Sequence, residues 1–192
     1  MKRGRILVLG PVPPPIGGDT VSTRYLLRSR WWERAGFVLE HIDTSGGGAV
    51  RLTHDPLSGR DLLRGLRILA RFLRRLPGVD LVLFWGNSRF LCTLGVFVIH
   101  ACRLARRQVV VKPFGSYLPE RLRELPASWR PVARDALRHA DILLPETDAL
   151  AGELAGILGG DLPRMAVYPN VVPDDAFTGD ADPGRFEGRC VF

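Results

Sequence analysis

The stretch RILVLGPVPPPIGGDT, residues 5–20, decides the fold. Its first six residues form a short continuous apolar run, which is typical of a parallel strand buried on both faces. Behind the two glycines, apolar residues recur at helical spacing, and Asp19 or Thr20 is available as the N-cap. The stretch is therefore a predicted strand-to-helix turn at the carboxyl end of the first strand. Open α/β sheets bind their ligands at that edge.

Two glycines, Gly17 and Gly18, stand directly before the predicted helix. Glycine allows positive φ and lets backbone N–H groups approach a ligand closely, and a helix N-terminus favours an anion. The prolines at 13–15 stiffen the approach and bring no N–H that needs a partner. We predict that both glycines face a phosphate. The alternative is a purely structural turn, because glycine and proline commonly punctuate chains.

Strand-like and helical patterns alternate through the rest of the chain, and no internal repeat is visible. Further strands are predicted at 37–43, 79–85, 108–114 (broken by Pro113), 141–145 and 164–170. Further helices are predicted at 60–76, 90–106, 118–140 (interrupted at Pro126 and Pro131) and 147–158. Alternation of this kind predicts an α/β fold with a doubly wound, Rossmann-like parallel sheet.

The composition describes a globular chain with a strong positive charge. Its 192 residues suit one domain with a sizeable core, and the net charge of +7 with a pI near 10.1 predicts an anionic partner. The candidates are nucleic acid, a membrane surface or a phosphorylated substrate. Only Lys2 and Lys112 are lysines, so arginine carries nearly all of the positive charge.

The cysteines and the apolar segments predict a cytoplasmic location. Cys92, Cys102 and Cys190 have no disulfide-like or metal-site spacing, which favours small buried residues in a reducing compartment. The basic start is followed by too short an apolar run for a signal peptide. Residues 90–105 form the most apolar segment, but it is short for a membrane span and contains charge, so we predict a core helix.

The helix predicted at 60–76 is strongly amphipathic. Leucines gather on one side of it and are expected to face the sheet. The opposite side carries the arginines, and we predict that it docks on an anionic membrane, at the inner face of the cell membrane. The alternative is a solvated basic face. The arginines are Arg60, Arg64, Arg67, Arg71, Arg74 and Arg75.

Several familiar chemical motifs are absent from the sequence. The first turn does not have the GxGxxG spacing of a dinucleotide fingerprint, and no GxxxxGK[ST], HExxH or GxSxG pattern occurs. The four histidines are scattered without ligand spacing. The acidic tripeptide at 180–182 lies in a segment rich in Asp, Gly and Pro, which favours solvated turn residues. No metal site is predicted.

Taken in order, the motifs resemble the N-terminal half of a family 4 glycosyltransferase with the GT-B architecture. ILVLGPVPPPIGGDT is similar to the opening strand and its proline–glycine loop, and VVVKPFGSYL to the segment after the fourth strand. ADILLPETDALAGEL resembles the stretch in which a Ser or Thr caps the next helix. YPNVVPDDAF is similar to the signature that closes the first domain. The resemblance spans nearly the whole chain.

This resemblance implies a retaining sugar transfer, of hexosyltransferase type, between two Rossmann-like domains. The donor is a nucleotide-sugar, the acceptor is lipid-linked or a polysaccharide, as in cell-envelope polysaccharide biosynthesis, and no metal or other cofactor is expected. Residues 1–172 are expected to form the acceptor-side domain, and 173–192 the linker and first strand of a missing donor-binding domain that carries an E-x7-E motif. No catalytic residue is assigned in this half, and the isolated chain is expected to be inactive.

The candidate site residues follow the predicted strands at their carboxyl ends. Gly17 and Gly18 are expected at the donor diphosphate. The acceptor cleft is expected to contain Asp19, Trp85, Gly86, Asn87, Phe114, Gly115, Ser116, Glu146 and Thr147.

The sequence departs from the family pattern in three places. Asp19 follows the glycine pair where a small apolar residue is common, Phe114 stands where many members have histidine, and Val171 replaces a glycine.

A second interpretation remains open beside the transferase. A non-catalytic basic module could bind an anionic surface, either a membrane or nucleic acid. Against nucleic acid, no recognised binding motif occurs and no exposed aromatics are interleaved with the arginines.

Overall fold

A computed structural model describes residues 4–14, 16–45 and 59–170 of the chain. Six parallel strands form one sheet in the order β2-β1-β3-β4-β5-β6. The strands are β1 (Gly4–Gly10), β2 (Phe37–Asp43), β3 (Leu81–Asn87), β4 (Gln108–Phe114), β5 (Ile142–Leu143) and β6 (Arg164–Met165). The strand order reverses direction between β1 and β3, and this switch point is where such sheets open a crevice for ligands.

Helices connect the strands in sequence. They are α1 (Gly18–Arg28), α2 (Trp31–Arg34), α3 (Gly59–Arg75), α4 (Ser88–Phe90), α5 (Val96–Leu104), α6 (Leu118–Glu124), α7 (Arg130–Arg138) and α8 (Asp148–Leu158). A π-helical turn, Leu91–Gly95, joins α4 to α5. The predicted doubly wound parallel sheet is therefore confirmed. The expected linker at 173–192 lies outside the described residues.

Two separate apolar cores lie on the two faces of the sheet. The larger core joins alternate residues of β1, among them Leu7 and Leu9, to side chains of α3, α5, α6, α7 and α8. The smaller core contains Ile6, Val8 and Trp85, and α1 and α2 pack against it. This division follows from strand geometry, because successive side chains point to opposite faces.

Two prolines act differently from the sequence prediction. The strand predicted to break at Pro113 continues through it to Phe114. Val109 and Val111 direct their carbonyl groups towards the β5 side, where they accept from Asp141 and Leu144, so the missing N–H of Pro113 would point the same way. The β5 ladder ends before that level. Pro131 does not interrupt α7 but lies in its first turn, a position that needs no N–H donor.

The cysteines and the apolar helix behave as expected where the structure describes them. Burial raises the pKa of Cys92 and of Cys102 to about 12, so both thiols stay protonated at neutral pH. Within the described ranges, no helix combines the length and the apolar composition that crossing a membrane requires.

The orientation of α3 contradicts the sequence prediction in part. The α3 residues that are fully buried are Ile68 and Phe72. Of the six leucines expected to face the sheet, Leu69 packs against the larger core and Leu76 is buried. The other four are largely exposed, by 64%, 57%, 53% and 48% for Leu62, Leu63, Leu66 and Leu73. With 100° per residue, the helix carries three arcs: a narrow buried one, a leucine arc and an arginine arc. The prediction assumed only two.

Candidate functional site

The loop after β1 leads to Gly17, which is the N-cap of α1. The sequence predicted Asp19 or Thr20 for that position. Its N–H donates to Thr20 Oγ1 at 2.9 Å, and its carbonyl oxygen accepts from the Val21 N–H at 2.9 Å. The φ of Gly17 is −155°, an extended conformation open to any residue, so the expected positive φ is absent. The N–H of Gly17 is therefore committed to the helix cap.

Gly18, the first residue of α1, has the more open position. Apart from its chain neighbours and the backbone of its own helix, no heavy atom lies within 4 Å of the point where a Cβ would be, whereas a Cβ on Gly17 would meet Asp19 Oδ1 at 3.0 Å. The Asp19 carboxylate also accepts from the Thr20 N–H at 2.8 Å. An anion approaching this helix end therefore meets no distant part of the chain at Gly18.

The last residues of β3 mostly have structural partners. Trp85 and Gly86 are buried, and the Asn87 side chain caps α4 by accepting from the Phe90 N–H at 2.9 Å. Trp85 packs edge-on against Phe114, with 5.8 Å between the ring centroids. Trp85 and Phe114 are thus core aromatics of the smaller core rather than exposed stacking platforms.

The loops after β4 and β5 are tied to each other. Gly115, whose φ of +76° requires glycine, donates its N–H to Glu146 Oε1 at 3.2 Å. Thr147 caps α8 by accepting from the Leu150 N–H at 3.1 Å. Ser116 is exposed beside this connection. The structure therefore gathers all the predicted cleft residues at the carboxyl edge of the sheet, and gives Asn87 and Thr147 capping roles.

Lys112 is a buried residue of this region that the sequence interpretation did not select. It lies in β4 opposite Trp85, and its side chain is 0% exposed. Its Nζ donates to the carbonyl oxygen of Tyr168 at 2.9 Å and lies 5.0 and 5.2 Å from the ring centroids of Tyr168 and Phe114. A charge in the middle of an apolar strand, in a chain with only two lysines, was the available signal.

A cavity of about 480 Å³ opens beside Lys112, on the face of the sheet that α1 covers. Its lining includes Ser22 and Tyr25 of α1 together with Tyr168. Trp85 and Lys112 also line it, and both side chains are buried. Ligand pockets typically measure roughly 300–1,000 Å³ and are lined by apolar and aromatic groups with a few polar ones. The cavity fits that description.

The buried ammonium makes stability depend on pH. Burial lowers the pKa of Lys112 below 10.5, and the nearby Glu146 carboxylate partly offsets this. The unfolded chain therefore holds the proton more tightly than the folded chain, so the Lys112 contribution to the free energy of unfolding rises as pH increases through the folded pKa towards 10.5.

We expect Lys112→Met to remove this rise. Urea unfolding of both proteins from about pH 7 to about pH 10 measures the difference in free energy, in which other titrating groups largely cancel. The free energy of unfolding of the wild type should rise relative to that of the variant as pH increases. A difference that stays constant or shrinks contradicts the assignment of a buried, charged Lys112.

The arginines of α3 divide into two groups. Arg64 donates to the carbonyl oxygen of Thr44 and Arg75 to that of His41, both at 2.8 Å, so these two hold α3 against the β2 side. The remaining four are exposed: Arg60, Arg67, Arg71 and Arg74. They lie beside the exposed leucine arc.

The comparison with known proteins identifies the fold. No family model matches the chain, and a search of curated proteins finds no match. Among solved structures, the crystal structure of Arabidopsis thaliana UGT89C1 complexed with UDP-L-rhamnose matches with a TM-score of 0.50 at 12% identity. The match covers 92% of this chain and 54% of that one, so the chain spans about half the length of UGT89C1. The chain has the fold of a Rossmann-like GT-B domain.

Proposed function

We propose that this chain is the acceptor-side half of a retaining glycosyltransferase that uses a nucleotide-sugar donor. The observation that carries the proposal is the open helix end at Gly18, at the switch point of a GT-B-like sheet. The solved neighbour, a GT-B glycosyltransferase, supports it because its structure holds UDP-L-rhamnose. The proposed acceptor is lipid-linked or a polysaccharide, and the proposed transfer is of hexosyl type.

The donor diphosphate binds at the start of α1. Backbone N–H groups and the positive end of the helix dipole favour a phosphate there, and the open Cβ position at Gly18 leaves it room. Because a glycosyl transfer releases a charged phosphate, this contact becomes more favourable in the transition state. Asp19, which would repel a phosphate, is better suited to a sugar hydroxyl.

The acceptor binds along the carboxyl edge near the linked β4 and β5 loops. Ser116 is exposed, and Glu146 is only partly buried although it accepts from the Gly115 N–H. These groups can hydrogen-bond sugar hydroxyls. Catalytic groups and most donor contacts belong to a second domain beyond this chain, and no metal is required by the proposal.

The isolated chain is expected to fold but not to transfer sugar. The test is to purify the 192-residue chain, confirm a cooperative thermal melt, and assay transfer from nucleotide-sugar donors with and without a separately supplied second domain. Sugar transfer by the chain alone contradicts the proposal that it is only half of the enzyme.

The exposed side of α3 favours a membrane-bound location for this activity. Four leucines exposed by about half or more of their area lie beside four exposed arginines. A helix that lies in the membrane interface has this character, with leucines among the acyl chains and arginines at anionic headgroups. These four leucines would therefore add apolar contacts to membrane binding. The sequence-based hypothesis expected them to face the sheet and included only the arginines.

Replacing Arg67, Arg71 and Arg74 by glutamine should weaken binding to vesicles containing phosphatidylglycerol by about 100-fold, since each arginine contributes roughly 1 kcal/mol. Arg64 is left in place because it bonds to Thr44. Co-sedimentation with vesicles at two salt concentrations measures the effect.

The matched control replaces Arg28, Arg30 and Arg34, which are exposed elsewhere and carry the same charge. Unchanged binding of the α3 variant, or an equal loss in the control, contradicts specific docking by α3. Salt-dependent retention on DNA without any vesicle binding would favour the alternative basic module.

A further inference from the structure

The cavity under α1 has walls that differ from those of the proposed sugar site. Aromatic side chains dominate it, including Tyr25, Trp31, Trp32, Trp85 and Tyr168. Flat rings of this kind favour another ring system, in offset-stacked or edge-on contact. Trp31 and Trp32 belong to α2, which follows the C-terminal end of α1, so the cavity extends away from the helix start at Gly18.

Two buried residues that line the cavity, Lys112 and Trp85, carry hydrogen-bond donors. An ammonium group has three N–H donors, and in the described ranges Lys112 uses one of them, on the Tyr168 carbonyl. The buried Trp85 Nε1–H has no hydrogen-bond partner among the residues that the structure describes. A buried donor without an acceptor is destabilising, so a ligand that supplies an acceptor at this donor would bind favourably.

We propose that the cavity binds a small organic anion, whose charged group reaches Lys112 and Trp85 and whose flat apolar ring body lies against the aromatic walls. The flexible four-carbon stem of Lys112 allows Nζ to turn from the Tyr168 carbonyl towards the ligand. An anion also compensates the buried ammonium more completely than a neutral carbonyl and two aromatic faces do. The proposal does not depend on glycosyl transfer.

A pair of fluorescent probes separates the charge from the ring body. 8-Anilinonaphthalene-1-sulfonate is a flat apolar ring system with an anionic group, and N-phenyl-1-naphthylamine is nearly the same molecule without that group. The 192-residue chain is titrated with each probe, and emission is excited through tryptophan. Because three of the four tryptophans line the cavity, energy transfer reports binding to the chain, and the variants below locate the bound probe.

Lys112→Met should weaken binding of the sulfonate probe by about tenfold and change the affinity for the neutral probe by less than about twofold. The reason is that a charge-assisted hydrogen bond is lost while the apolar volume is kept. Ser22→Leu, which narrows the cavity and leaves Lys112 intact, should weaken binding of both probes. Arg28→Met removes an exposed cation from α1 and should leave the affinity for both probes unchanged.

Thermal melts show whether each variant is folded. If Lys112→Met does not fold, Ser22→Leu still tests the cavity. The proposal is overturned if the wild type binds neither probe, if Lys112→Met weakens both probes equally, or if Ser22→Leu leaves both titrations unchanged.

Discussion

In the proposed two-domain transferase, Gly18→Val should lower kcat for sugar transfer by about 10²–10³-fold and leave the melting temperature unchanged. No heavy atom beyond its chain neighbours and its own helix lies within 4 Å of the Gly18 Cβ position, so the added side chain meets no other part of the described fold. It does occupy the space through which a phosphate would approach the helix N-terminus. Steady-state kinetics with a nucleotide-sugar donor, alongside thermal melts, measure both quantities.

Two further glycine variants serve as controls for Gly18→Val. Gly152→Val places the same side chain on α8, also with nothing within 4 Å, and should leave both kcat and the melting temperature almost unchanged. Gly17→Val should lower the melting temperature, because its Cβ would lie 3.0 Å from Asp19 Oδ1 and the residue caps α1. If Gly18→Val loses activity only in step with stability, the corner is structural and the phosphate role is wrong.

Phe72→Ala should destabilise the chain by about 3–5 kcal/mol, the usual cost of removing a buried phenylalanine. Phe72 is 0% exposed and lies on the narrow inward arc of α3. Leu63→Ala, on the exposed leucine arc of the same helix, should change the free energy of unfolding by less than about 0.5 kcal/mol. Urea unfolding of the 192-residue chain measures both. A larger loss of stability in Leu63→Ala than in Phe72→Ala would contradict this orientation and support the one predicted from the sequence.

The sequence predicted the sheet well because parallel strands carry a strong local signal. The residues of β1, β2 and β4 form continuous apolar or strand-like runs, and the structure places these strands within a residue of prediction. The third strand begins at Leu81 rather than at residue 79, because the 3₁₀ turn Leu76–Gly78 delays its start.

The orientation of α3 could not be predicted, for a geometric reason. Its sequence contains two apolar sets, and hydrophobic periodicity does not say which one meets the sheet. The fully buried residues of α3 are Ile68 and Phe72, which belong to the larger core, while most of the leucines are exposed. Only the packing against neighbouring strands decides between such sets.

The candidate site was predicted at the level of the sheet edge but not at the level of single atoms. The rule that ligands meet the carboxyl ends of strands predicted that these residues lie at one edge of the sheet, and the structure places them there. The caps made by Gly17, Asn87 and Thr147 are local, each joining residues three apart, and the family resemblance already implied a Ser or Thr cap before the last helix. The burial of Lys112 beside a cavity could not be predicted, because it depends on contacts with Tyr168, a distant part of the chain.

The most direct test of the proposed function is a calorimetric titration of the complete protein with a panel of nucleotide-sugars. We predict that one nucleotide class binds, that the free nucleoside diphosphate competes for the same site, and that Gly18→Val weakens the binding while the protein stays folded. No binding of any panel member to a protein with an intact melt would contradict the account, and so would binding that Gly18→Val leaves unchanged.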